Sequence, residues 1–145
     1  MEELFAEFYL WYCGVNTNEK YEAFLHKTFL IREPGDKFLL ELEECSSDIK
    51  ATYRCFMCHW EKSDFDFDGF KSSLFEKLKV LYGSDQYSLH EFVRKCFSVW
   101  KNFPFSADLY DLYPFDELAK SEEYMALMDE AERKAWFERF FLHVL

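Results

Sequence analysis

Glycine and proline are scarce in this chain of 145 residues, at four and three. Long irregular loops are therefore excluded, and closely connected helices and strands are favoured. Bases are also few: 17 Lys and Arg stand against 28 Asp and Glu, for a net charge of −11. Binding to nucleic acid depends on Lys and Arg displacing phosphate counterions, so the chain's own charge excludes that function. An anionic membrane surface is repelled for the same reason, whereas a basic partner is attracted. No apolar run is long. Phe8 to Cys13 falls far short of a bilayer span, and Met1-Glu-Glu-Leu carries acid where a signal peptide carries base. A cytoplasmic protein is the expectation. The five cysteines, at 13, 45, 55, 58 and 96, are odd in number, in a chain large enough to fold without staples. Reduced thiols are expected.

What is present is apolar and aromatic. Half of the residues are hydrophobic and 18 are Phe, which is material for one globular domain over 1–145 with a dense core. Leu4, Phe5, Phe8, Tyr9 and Tyr12 recur at helical spacing, as do Tyr21, Phe24, Leu25 and Thr28. These predict helices over 2–12 and 18–30, the first ended by Gly14 and the second capped by Thr17 or Asn18. Phe70, Leu74, Leu78 and Leu81 predict a third helix, closed by Gly83. Ser88 and Glu91 form a capping box before the face Leu89, Phe92, Val93, Cys96, Phe97 and Trp100. Phe92 and Phe97 are expected in the core. Residues 103–116 read as irregular, followed by helices over about 117–128 and 130–143, with Asp129 and Glu132 as the cap of the last.

The segment 37–60 reads differently. Phe38, Leu40 and Leu42 share one face, and Glu41 and Glu43 share the other with Leu39. After Ser46-Ser47-Asp48, Ile49, Ala51, Tyr53, Cys55 and Met57 alternate with Lys50, Thr52, Arg54, Phe56 and Cys58. Two such runs joined by a short polar turn predict a β-hairpin, with Lys50 and Arg54 facing Glu41 and Glu43. Phe65 and Phe67 extend it as a short third strand. The expected class is α+β: a small antiparallel sheet packed by several amphipathic helices, helix-rich overall.

Two motifs raise the question of metal chemistry. Cys55-Phe-Met-Cys58-His59 has the spacing of a haem attachment site and the first half of a zinc site. On a strand its thiols would point to opposite faces, and only the scattered Cys45, Cys96, His26 and His90 are left to complete a zinc shell. Small core hydrophobes are the plainer reading of these cysteines. Asp64-Phe-Asp66-Phe-Asp68-Gly69 matches the first half of a calcium loop. Its second half fails, because Phe75 stands where the bidentate Glu belongs and Lys71 stands where an apolar anchor belongs. No metal and no cofactor are expected. His90 and Cys96 lie six residues apart on one helix, on different faces, and His26 and His143 are boundary residues of amphipathic helices, so no catalytic set emerges, although a small enzyme or metal-dependent module using Cys55–His59 or Asp64–Asp68 is the alternative reading.

Charge is unevenly placed. From Asn102 to Glu132 stand nine acids, Asp108, Asp111, Asp116, Glu117, Glu122, Glu123, Asp129, Glu130 and Glu132, against Lys120 alone. Phe103, Phe105, Tyr110, Tyr113, Phe115 and Tyr124 interleave with them. Rings supply desolvated contact area, and carboxylates supply steering and ion pairs. A solvated acidic face over core aromatics is the plainer alternative. Asp108, Tyr110, Asp111, Tyr113, Asp116, Glu117, Glu122 and Glu123 are the expected contact residues for a basic protein partner, with the two tyrosines as anchors. Small, acidic, cytosolic and motif-free is also the profile, by composition, of immunity proteins that block nuclease toxins and of phage inhibitors that mimic nucleic acid. A stoichiometric inhibitor that occludes a basic target is the expected function.

Overall fold

A computed structural model of the chain describes residues 1–32, 35–101, 103–105, 108–113 and 115–143, without the side chains of 116–118, 121, 140 and 143. The described residues form eight helices and no strand: α1 (Glu2–Tyr12), α2 (Asn18–Ile31), α3 (Lys37–Glu44), α4 (Ile49–Lys62), α5 (Phe67–Gly83), α6 (Leu89–Lys101), α7 (Phe115–Ala126) and α8 (Glu130–His143). None of them is long and apolar enough to cross a membrane. The chain divides into two compact units, Met1–Leu74 and Phe75–Leu145.

The expected α+β class is wrong, because the hairpin over 37–60 is two helices. Asp36 accepts from the Leu39 amide at 3.2 Å and starts α3. Asp48 accepts from Lys50 and Ala51 at 3.1 Å each and starts α4. Ser46-Ser47-Asp48 is thus the approach to a helix cap, not the turn of a hairpin. The buried pairs are Leu39 with Leu42 and Thr52 with Phe56, at spacings of three and four, while Leu40 is 44% exposed. Lys50 and Arg54 lie on one helix, one turn apart, so they do not face Glu41 and Glu43 across a ladder. The third strand is also absent. Residues 64–66 are irregular and Phe67 opens α5.

The other expected helices form, and their signals act as read. Thr17 accepts from the Lys20 amide at 3.3 Å, Ser88 from Glu91 at 3.2 Å and Asp129 from Glu132 at 2.9 Å. Gly14 has φ of 76°, a left-handed conformation that favours glycine after a helix end. At α5 the cap is Asp66, whose carboxylate accepts from the Gly69 amide at 3.0 Å. A side chain at position 69 would collide with that carboxylate, which is why the third residue beyond this cap is glycine.

Each unit is held by its own aromatic cluster. In the first, the fully buried Phe5 ring sits 5.0 Å from Phe56 and 4.9 Å from Phe70, with Phe65 and Trp60 edge-on. Phe8 adds Phe56 and Tyr21, joining α1, α2 and α4. In the second, Phe92 on α6 meets Tyr82 of α5 at 5.2 Å and Phe137 and Phe141 of α8 at 5.9 and 5.7 Å. Phe92 and Phe97 are both buried, as their helical face requires. The offset and edge-on geometries add to the area effect of burying these rings.

Candidate functional site

The acidic stretch lies in the second unit, and its aromatic residues divide into two kinds. Phe103 stacks on Phe115 at 4.4 Å, Phe105 lies 5.2 Å from Phe103, and Tyr110 meets Phe105 edge-on at 5.4 Å. These rings tie the loop between α6 and α7 to the start of α7. Tyr110 is therefore half-buried in the loop's own packing, whereas Tyr113 is 48% exposed. Asp108 and Asp111 are exposed. The Asp111 carboxylate accepts from the Tyr113 amide at 3.1 Å, which shapes the turn that presents Tyr113.

On α7 the two expected glutamates are both exposed. Glu122 pairs with Lys101 of α6 at the surface. Asp116 and Glu117 fall in the first turn of α7, but their side chains lie outside the described residues. Asp108, Asp111 and Tyr113 thus share one loop and Glu122 and Glu123 lie on the following helix, with Tyr110 packed on Phe105 and Glu122 paired with Lys101.

The corner between α7 and α8 carries residues that the sequence pattern did not single out as contacts. Tyr124 is 66% exposed and Leu127 is 90% exposed. They are three residues apart, Tyr124 on the last turn of α7 and Leu127 in the turn just after it, while Phe115 and Met125 are buried. Glu123, Asp129, Glu130 and Glu132 are their near neighbours in sequence, all exposed. The corner is cross-linked by hydrogen bonds. Arg133 Nε donates to the Met125 carbonyl at 2.8 Å and Nη2 to Ala126 at 3.4 Å, satisfying carbonyls left open at the end of α7. The Leu127 and Met128 amides donate back to Tyr124 and Met125 at 3.3 and 3.2 Å. A positive side chain at this terminus also suits the helix dipole. Leaving Leu127 in water forgoes roughly 1.5–3 kcal/mol that a covering surface would recover. The signal was present in the sequence: Tyr124 and Leu127 fall off the apolar face of the helix expected over 117–128.

The alternative sites have local structural roles. Cys55 is half-buried on α4, its thiol 3.9 Å from a Glu41 carboxylate oxygen. Burial, reinforced by Cys45 and Glu41 beside it, pushes this thiol up to about 12, which keeps it protonated and a weak nucleophile at neutral pH. His59 stacks flat on Phe38 at 3.8 Å, and the loss of solvent holds its pKa below the ordinary value. In the Asp64–Asp68 segment, Asp66 is the α5 cap and Asp68 pairs with Lys71 at 3.4 Å. Among the described residues, no three His, Cys, Asp or Glu side chains are placed to hold a metal ion. Comparison with protein families, with curated proteins and with solved structures finds no match to this chain.

Proposed function

We propose that this chain is a stoichiometric inhibitor of a basic protein, working in the cytoplasm as an immunity protein of a toxin system or an inhibitor of a nuclease. The observation that carries this reading is the α7–α8 corner: Leu127, 90% exposed, is flanked in sequence by carboxylates on a capped turn. An apolar centre with a charged rim is the anatomy of a protein interface. The net charge of −11 supplies the steering field for a partner of opposite sign. In this reading Asp108, Asp111, Glu123 and Glu130 engage Lys and Arg of the target, while Tyr113, Tyr124 and Leu127 are the anchors. Inhibition is by occlusion and needs no chemistry from this chain.

The test is affinity capture from lysate of the source cell, run in parallel with the native chain and the Tyr124→Ala/Leu127→Ala variant. The captured protein is then purified and its association measured directly. The expected partner is basic, binds one to one, is inhibited when bound, and is lost by the corner variant. An acidic or neutral partner, or equal retention by the variant, would sink this reading.

A further inference from the structure

In the first unit, two thiols meet where α3 ends against α4. Cys45 is the C-cap of α3 and Cys55 lies on α4, both half-buried and both free. Each makes a weak S–H contact to the same residue. The Cys45 thiol donates to the Glu41 carbonyl at 3.2 Å, and the Cys55 thiol to the Glu41 carboxylate at 3.9 Å. Thr52, one turn before Cys55, brings its hydroxyl within 3.7 Å of Cys45 Sγ, and the two thiols are in hydrogen-bonding contact with each other. We propose that Cys45 and Cys55 are a redox pair, which a peroxide closes into a disulfide between the end of α3 and the middle of α4.

A separate observation points to an oxidised sulfur. Tyr21 is fully buried, with its ring packed on Phe8 at 5.6 Å and Trp11 at 5.4 Å, and its hydroxyl has no hydrogen-bond partner among the described residues. A buried donor without an acceptor is destabilising. Burial raises the pKa of this hydroxyl first, and Cys45 and Cys55 raise it next, so it is a protonated donor within electrostatic reach of both sulfurs. Oxidation of a thiol adds the acceptor that Tyr21 lacks. The Cys45 thiolate attacks one peroxide oxygen and the O–O bond breaks. The other oxygen leaves as hydroxide, which takes the proton that the thiol gave up. Cys45 then carries a sulfenic acid, whose oxygen accepts from Tyr21. Cys55 sulfur attacks Cys45 sulfur, the S–O bond breaks, and the oxygen leaves as water with the Cys55 proton. Two thiols and one hydrogen peroxide thus give one disulfide and two waters. Burial holds Cys55 at about 12, with Cys45 and Glu41 adding to it. A thiol that resists ionisation attacks slowly and is also a poor leaving group, so this bond is slow to form and slow to reopen.

The test treats the full, reduced chain with hydrogen peroxide, blocks the remaining thiols with an alkylating reagent and maps the peptides by mass spectrometry. The expected product is a Cys45–Cys55 linkage, lighter by two hydrogens, reversed by dithiothreitol and formed equally in Cys58→Ser. Tyr21→Phe keeps the ring and removes only the hydroxyl. It should slow the linkage about fivefold, the worth of one neutral hydrogen bond. The same treatment in urea should lose the preference for this pair, because the fold brings the two thiols together. Linkage of Cys55 to Cys58 instead, linkage only between chains, oxidation of both thiols to sulfinic acids without linkage, or both thiols still open to alkylation would overturn the pair. An equal preference in urea would overturn the argument from the fold, and an unchanged rate in Tyr21→Phe would overturn the part given to Tyr21.

Discussion

At the scale of single residues, the environment of a group fixes its chemistry more than its motif does. His59 belongs to a haem-like spelling, yet its ring lies on Phe38. Its pKa should therefore titrate below the ordinary 6.5 when followed by NMR. Because the folded value is depressed, the unfolded chain binds this proton more readily. The group's contribution is complete above pH 6.5 and is lost as pH falls through the folded value. His59→Phe should lessen the acid sensitivity of the first unit in a urea series run at stepped pH. Tyr82 has the opposite sign. The fold favours its neutral form, so its contribution is complete below pH 10 and is lost between 10 and about 12. Absorbance of the phenolate should show Tyr82 ionising near 12, and Glu138→Gln should bring that value down. Phe92 illustrates what was legible at this scale. A helical face marks it as core, it is 1% exposed, and Phe92→Ala should cost about 3–5 kcal/mol in denaturant unfolding.

At the scale of elements, 37–44 is the instructive segment. Lys-Phe-Leu-Leu-Glu-Leu-Glu-Glu satisfies both periods: Phe38, Leu40 and Leu42 alternate, while Leu39 and Leu42 are three apart. Three local facts break the tie. Leu, Glu and Lys favour helix, no β-branched residue occurs between 37 and 44, and Asp36 and Asp48 are cap residues at the right distance. Weighed with the alternation, they point to two helices, as the structure has. Elsewhere the alternatives did not compete. Ser88 with Glu91 and Asp129 with Glu132 had an unambiguous helical face after them. A pair of substitutions reads the difference directly. Leu39→Ala should cost about 2–5 kcal/mol and Leu40→Ala less than about 1, where a strand with Leu40 and Leu42 inward would reverse the order. Asp48→Ala should cost about 1 kcal/mol by removing two accepted hydrogen bonds from α4.

At the scale of the whole molecule, charge was legible and its meaning was not. The count of acids between 102 and 132 locates an acidic stretch, but it does not say which carboxylates face outward. That depends on how α7 packs, a tertiary fact seen in the buried Phe115 and Met125. Hence Tyr110 was expected as an anchor and is half-buried, while Leu127 was passed over and is 90% exposed. The two kinds of contact should separate kinetically with a purified partner. Glu123→Lys should mainly slow association, and rising salt should do the same, because steering acts before contact. Leu127→Ala should mainly speed dissociation, because covered apolar surface holds a formed complex. Thermal midpoints of both variants should stay near that of the native chain. The Arg133 clasp on α7 has one more consequence. A protease must draw a segment of chain out into an extended form before cutting it, and an exposed leucine amid glutamates is otherwise an inviting site. Arg133 holds the carbonyls of Met125 and Ala126, and these two hydrogen bonds oppose the opening of that segment. In Arg133→Met, limited digestion with a glutamate-specific protease should begin at this corner, at Glu123 or Glu130, well before the rest of the unit is cut.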